Sequence, residues 1–535
     1  LHRVDRRQRQ MCIRDSSTIV RKHCLMISGN TINHKNNMAG LKSLVKDTAL
    51  YGLSSMVGRF LNYLLVPLYT AVLPAASGGY GVVTNVYAWA GLIMVLLTFG
   101  METGFFRFAN KSEEDPVKVY ANSLISVGGI SLIFAILCLT FLQPVSHLLE
   151  YGDHPDFIGM MIIVMALDAF LCIPFAYLRF KKRPIKFVAI KFVSIIANIV
   201  LNLFFLLLCP WLHEHFPAWV DWFYNPTYLV GYIFVSNLIT TCLQLFCLIP
   251  ELRGFAYRVD KQLLKRMLIY SFPILIFGLV GILNQTVDKI IYPFLFADRQ
   301  EGLVQLGIYG AATKIAMVMA MFTQAFRYAY EPFVFGKQKE GDNRRMYAQA
   351  MKYFLIFAMF AFLVVMFYLD LLRYMVAPDY WAGLSVVAIV IGAEIFKGIY
   401  FNLSFWYKLI DETRWGAYFS IVGCVIIVGM NVMLVPTYGF VASAWASVAG
   451  YAVITILSYW IGQKKYPIHY DLKHLGTYVL FTAVLYVIGE WVPIENIVLR
   501  LAFRTVLLLI FMAYVVRKDL PLSQIPVINR IIKKK

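Results

Sequence analysis

The strongest constraint on this chain is the recurrence of apolar runs about 20 residues long, parted by short charged or Pro/Gly-rich breaks. That is the length a helix needs to cross a bilayer. Backbone groups in hydrocarbon must be satisfied within their own segment, so each run reads as a helix; a transmembrane barrel would show alternating segments of ~10 residues instead. The runs fall near 48–73, 79–106, 118–142, 157–179, 186–209, 228–250, 264–293, 305–327, 349–369, 381–402, 414–435, 438–462, 473–490 and 496–516. Of the 535 residues, 60% are hydrophobic and 15% charged, against ~45–50% and ~25% in soluble proteins. A soluble enzyme, a disordered chain and a disulfide scaffold are excluded. The fold class is an all-α polytopic membrane protein of about 14 transmembrane helices.

The formal charge of +19 would suggest nucleic acid in a soluble domain. Here Lys and Arg lie between apolar runs, where they set topology and meet anionic lipid; no nucleic-acid partner is expected. With residue 38 placed in the cytoplasm, 33 Lys and Arg fall in or beside cytoplasmic loops. Only Arg299, Arg373 and Arg500 fall on the other side. This bias supports the span count and predicts that both ends are cytoplasmic.

Residues 1–37 are polar and basic, without the apolar core of a signal peptide. They are expected to be a non-native or disordered leader, with Met38 as the true start. The cysteines form no CxxC pair, and those within apolar runs (Cys138, Cys172, Cys242, Cys247 and Cys424) read as small buried hydrophobes. The hydrophilic loops are too short for a catalytic or nucleotide-binding domain, and no G-x-x-x-x-G-K-[ST] loop occurs. No cofactor, metal or catalytic residue is expected, and the chain is not read as an enzyme.

Residues 80–107 and 309–336 align without gaps: Tyr80-Gly81 with Tyr309-Gly310, Thr84 with Thr313, Glu102 with Glu331, Phe106 with Phe335. Each segment is the second span of a six-span set. The expected domains are 38–260 (N-terminal lobe), 261–465 (C-terminal lobe) and 466–535 (two more helices and a basic cytoplasmic tail). Parallel repeats of this kind bind substrate between the lobes near the midplane.

Charges inside spans mark the candidate site, because each costs at least ~2.5–3.5 kcal/mol at the bilayer centre unless it faces a cavity or partner. Arg59 and Lys314 lie near the middles of the first and eighth spans. Two such cations facing one aqueous cavity would suit a diphosphate; each could instead be neutralised by a neighbouring helix. Asp288-Lys289 could line the cavity mouth or snorkel, and Glu394 with Lys397 fits a local i, i+3 ion pair. Asn62, Asn284, Gln285 and Gln324 could bind sugar hydroxyls or join helices. Arg327 could guard a cytoplasmic gate. Asp168, alone in its span, is a candidate proton carrier, and Arg504 is expected to meet lipid. Pro67 and Pro273, in equivalent spans, are candidate hinges.

The stretch Asp411-Glu-Thr-Arg-Trp415 through Asn431, Leu434-Val-Pro436-Thr-Tyr-Gly439 and Ala444-Trp-Ala-Ser447 resembles the late helices of bacterial polysaccharide flippases. Tyr80-Gly81 with Gly100-Met-Glu-Thr-Gly104 and Arg107 resembles their second span, and Tyr309-Gly310 with Lys314 their eighth. The resemblance spans about Leu41 to Arg517, and the superfamily includes multidrug extruders and peptidoglycan lipid-precursor flippases. It implies two six-helix lobes plus two C-terminal helices, and a cationic central cavity. It also implies passage of an undecaprenyl-diphosphate-linked oligosaccharide from the inner to the outer leaflet of the bacterial cytoplasmic membrane, for O-antigen, capsule or exopolysaccharide. Expected partners are that lipid-linked oligosaccharide, membrane lipid, and a polysaccharide polymerase and chain-length regulator. Open alternatives are an organic-cation exporter, a peptidoglycan lipid-precursor flippase, and a membrane-embedded glycosyltransferase or polymerase.

Overall fold

The computed structural model describes residues 61, 63–111, 114–255, 258–337, 344–410 and 412–519, without the side chains of 328, 329 and 331–337. The leader, Met38, Arg59 and Asn62 lie outside these residues. Within them every regular element is helical, and thirteen helices are long and apolar enough to cross a membrane. The longer helices are α1 (Leu65–Val72), α2 (Gly79–Thr98), α3 (Met101–Ala109), α4 (Pro116–Thr140), α5 (Pro155–Phe180), α6 (Pro184–Leu203), α7 (Leu229–Leu252) and α8 (Lys261–Ile291). They continue as α9 (Arg299–Lys337), α10 (Arg344–Phe367), α11 (Val387–Leu403), α12 (Arg414–Tyr438), α13 (Phe440–Lys465), α14 (Leu472–Trp491) and α15 (Ile497–Lys518). All thirteen expected runs from 79 onward carry one of these spans.

The starts follow local chemistry. Proline opens α4, α5 and α6, where its missing N–H is one of the unpaired donors in any case. The Asp115 carboxylate accepts from Val117 N, Asp260 from Gln262 and Leu263 N, and the Asn496 side chain from Val498 and Leu499 N, each capping a first turn.

Two interruptions were not expected. The second span is broken, because Phe99 (φ 50°) and Gly100 (φ 66°) both take left-handed backbone and split it into α2 and α3. The fifth span runs on through a π-helical turn, Phe204–Leu208, into a short helix Cys209–His215. Pro67 lies in the first turn of α1, just after a turn at Leu64, so its missing donor falls where the helical ladder restarts. Pro273 lies inside α8, which stays helical throughout.

Packing follows two sets of helices. α2 to α5 and α7 share a core built on Met101, Phe105, Tyr120, Phe157 and Phe234, which α8 joins through Leu263 and Met267; α6 packs on α5 and α7 through Ile190; α9 to α13 share another core around Phe354, Val387 and Ile391, with α14 and α15 against α10. The sets meet where α2 lies along α8 and α9. Arg504 does not meet lipid as expected. Only 6% exposed, it pairs with Asp370 (3.1 Å) and Glu490 (2.7 Å) and donates to the Phe367 and Gly489 carbonyls. A lone Arg on an apolar helix finds acids on other helices rather than bare hydrocarbon. Of the cysteines, Cys209 is buried, Cys138, Cys172, Cys247 and Cys424 are half-buried, and Cys242 is exposed; exposure costs little where the surroundings are lipid.

Candidate functional site

Tyr80, Val83, Thr84, Tyr87 and Ala88 share one face of α2, as their 3–4-residue spacing requires. Tyr309, Thr313, Lys314, Met317 and Met321 share one face of α9. Gln285, Asp288 and Lys289 come from α8, Glu394 and Lys397 from α11, Ser447 and Tyr451 from α13, and Tyr63, Val66 and Tyr69 from in and beside α1. Together these surfaces line a cavity of about 580 Å³ where the two helix sets meet, within the ~300–1,000 Å³ usual for small-ligand sites.

At one end α2 and α9 cross with almost no separation. A Cβ on Gly81 would overlap the Leu303 backbone, and one on Gly310 would lie 2.6 Å from Thr84 Oγ1. Small residues permit such approach. Hydrogen bonds reinforce the junction: Asn85 Nδ2 donates to the Lys289 carbonyl (2.7 Å) and Tyr380 Oη to the Leu73 carbonyl (2.6 Å). Arg299 pairs with Glu150 (3.2 Å) and lies over the Tyr151 ring. The residues matched in the internal alignment, Tyr80-Gly81 and Tyr309-Gly310, thus sit at this crossing.

Five charged side chains line the cavity. Asp288 pairs with Lys289 (2.9 Å) and accepts from Tyr309 Oη (3.1 Å). Glu394 pairs with Lys397 (2.6 Å), leaving its Oε2 buried without a partner. Lys314 differs: among the described residues no carboxylate or hydrogen-bond acceptor reaches its ammonium. An unpaired ammonium in a walled chamber makes the cavity attractive to an anion.

The remaining expectations separate cleanly. Asn284 and Gln285 line the cavity. Asn284 also fastens helices, its side-chain Nδ2 donating to the Ser420 carbonyl (2.8 Å) while its backbone carbonyl accepts from Tyr451 Oη (3.2 Å). Gln285 donates to the Gly281 carbonyl (3.2 Å). Gln324 and Arg327, further along α9, do not line the cavity; the Arg327 guanidinium lies 4.2 Å from the Phe401 ring centre. Asp168 does not line the cavity but lies behind its wall near Tyr87, accepting from Thr241 Oγ1 at 3.4 Å. The proposed partnership of Lys314 with Arg59 involves a residue outside the described ones. The sequence reading overlooked the cavity tyrosines; the 80–84–87 spacing beside Thr84, matched by 309–313 on α9, was the available signal.

Fold and cavity define a helical multi-pass membrane protein, and the chain belongs to the polysaccharide biosynthesis protein family, whose family model matches residues 44–329. A curated relative, an uncharacterized membrane protein from Haemophilus influenzae, is 21% identical over 308 residues, covering 56% of this chain and 67% of that protein. The fold is similar to a solved lipid II flippase MurJ in an inward closed conformation: TM-score 0.70, 14% identity, 88% of this chain and 99% of that one. It is also similar to an inward-facing multidrug resistance MATE family transporter of the MOP superfamily: TM-score 0.59, 13% identity, 78% and 95% coverage.

Proposed function

We propose that this protein carries an undecaprenyl-diphosphate-linked oligosaccharide from the inner to the outer leaflet of the bacterial cytoplasmic membrane by alternating access, for surface polysaccharide synthesis. The observation that carries the reading is the Lys314 ammonium, unpaired among the described residues, in the cavity between the helix sets. It would engage the diphosphate, while Gln285 and the other polar liners meet the first sugars. The flanking ion pairs at Asp288 and Glu394 keep the chamber wet and polar without cancelling Lys314. An organic-cation exporter fits less well, because Lys314 repels a cationic substrate. Following the positive-inside bias, both termini face the cytoplasm, and the end where α2 crosses α9 is the outer one. The flipped product would pass to a polysaccharide polymerase and chain-length regulator.

The test is complementation of a strain lacking this gene. Lys314→Met should insert normally yet abolish surface glycan and leave the lipid-linked precursor accessible only from the inside, and Lys314→Arg should retain partial export. Normal export by Lys314→Met would refute the assignment.

A further inference from the structure

The cavity holds one aromatic ring unlike the others. Tyr63, Tyr69, Tyr80, Tyr309 and Tyr451 are 2–9% exposed, whereas Tyr87 is 39% exposed although it lies on the same cavity wall. Its position is held from behind. Asn237 Nδ2 on α7 donates to the Tyr87 hydroxyl at 2.8 Å, and the Phe234 ring on the same helix sits 6.2 Å away, tilted by 53°. The hydroxyl oxygen accepts from the protein and is fixed in place, so the largest surface Tyr87 presents to a ligand is the ring itself.

Resting on the proposed function, we infer that Tyr87 is a specificity-determining residue whose ring stacks on the sugar next to the diphosphate, with Lys314 holding the anion. Two occupants of the ring are disfavoured by the same wall. A prenyl chain there would strip water from Asp288, Lys289, Lys314, Glu394 and Lys397 without offering them hydrogen bonds. A cation over the ring would share the chamber with the unpaired Lys314. A pyranose suits both surroundings, since its C–H face packs on an aromatic ring and its hydroxyl rim hydrogen-bonds to polar neighbours. The ring is fixed by Asn237 and Phe234, so little side-chain freedom is lost on binding.

The experiment measures equilibrium binding of the purified full-length protein in detergent to two probes: farnesyl diphosphate, and farnesyl diphosphate carrying one N-acetylglucosamine. The wild type should prefer the glycosylated probe. Tyr87→Leu should weaken the glycosylated probe by about fivefold, the size of an aromatic contact, and leave the bare diphosphate unchanged. Tyr87→Phe, which keeps the ring, should restore most of the preference. Lys314→Met should weaken both probes. A Tyr87→Leu variant that keeps the preference, a wild type without it, or equal weakening of both probes, which would assign the ring to the prenyl chain, overturns the inference alone. Binding of neither diphosphate by the wild type overturns the flippase reading as well.

Discussion

On the proposed topology, the crossing of α2 and α9 should set how readily the outer end parts, and Gly81→Ala tests it. The added Cβ would lie 2.7 Å from the Leu303 carbonyl carbon and 3.1 Å from its Cα, where carbon atoms normally sit ~3.5–4.0 Å apart. Both obstacles are backbone, so no rotamer change relieves them, and α2 must retreat from α9 by about 1 Å. Overpacking of this kind costs ~1–3 kcal/mol, which lowers the population of the joined arrangement roughly 5- to 150-fold relative to a parted one. The assay places a cysteine at Met317, on the cavity face of α9, in a cysteine-free background. Labelling by a membrane-impermeant thiol reagent added from outside should rise at least about fivefold in Gly81→Ala. Gly429→Ala, whose Cβ would meet nothing within 4 Å, serves as the neutral control. Unchanged labelling of a folded Gly81→Ala protein would show that this crossing does not hold the outer end shut.

Other outcomes follow from features outside the cavity. Arg504→Met leaves Glu490 without its partner and Asp370 with Arg500 alone; it should cost about 3 kcal/mol, seen as a lower melting temperature in detergent, and an unchanged melting temperature would refute that cost. The Asp519 carboxyl titrates below its ordinary 3.8: burial pushes it up, but hydrogen bonds from Lys352, Tyr478 and His474 outweigh burial. Its folded-state value is depressed, so its stabilisation is complete above about pH 4 and fades as pH falls through the folded value. Asp519→Asn should flatten the acid limb of a stability–pH curve, and an unaltered limb would discount the cluster. Cysteine placed at Glu214 should be labelled from outside and at Lys182 only from inside; the reverse pattern would invert the assigned topology.

The span boundaries were legible because their causes are local: Asp115-Pro116, Pro155, Pro184 and Asp260 are start signals within the segments they begin. Lys314 was legible because a lone ammonium in an apolar run has few structural uses. The break at Phe99–Gly100 was not, since Gly100 alone fits an unbroken helix equally well, and the left-handed Phe99 is stabilised by tertiary packing, including its ring contact with Phe272. The partners of Arg504 lie on the chain segments around 370 and 490, a pairing that no spacing rule predicts. Tyr87 was hidden for a different reason: aromatic residues on a membrane helix serve as core or as wall, and only the geometry of Asn237 and Phe234 separates the two uses.

Every charged group lining the cavity among the described residues, from Asp288 to Lys397, belongs to α8–α11; the wall from α1 and α2 supplies rings, hydroxyls and aliphatic carbon. Among the described residues, the chamber's charge is therefore carried by one side of the molecule. In the proposed flipping cycle, with the two helix sets rocking, an anionic headgroup would ride with the later set while the earlier set slides across the sugars. Variation in residues 63–88 could then retune which glycan is accepted without disturbing the grip on the phosphate.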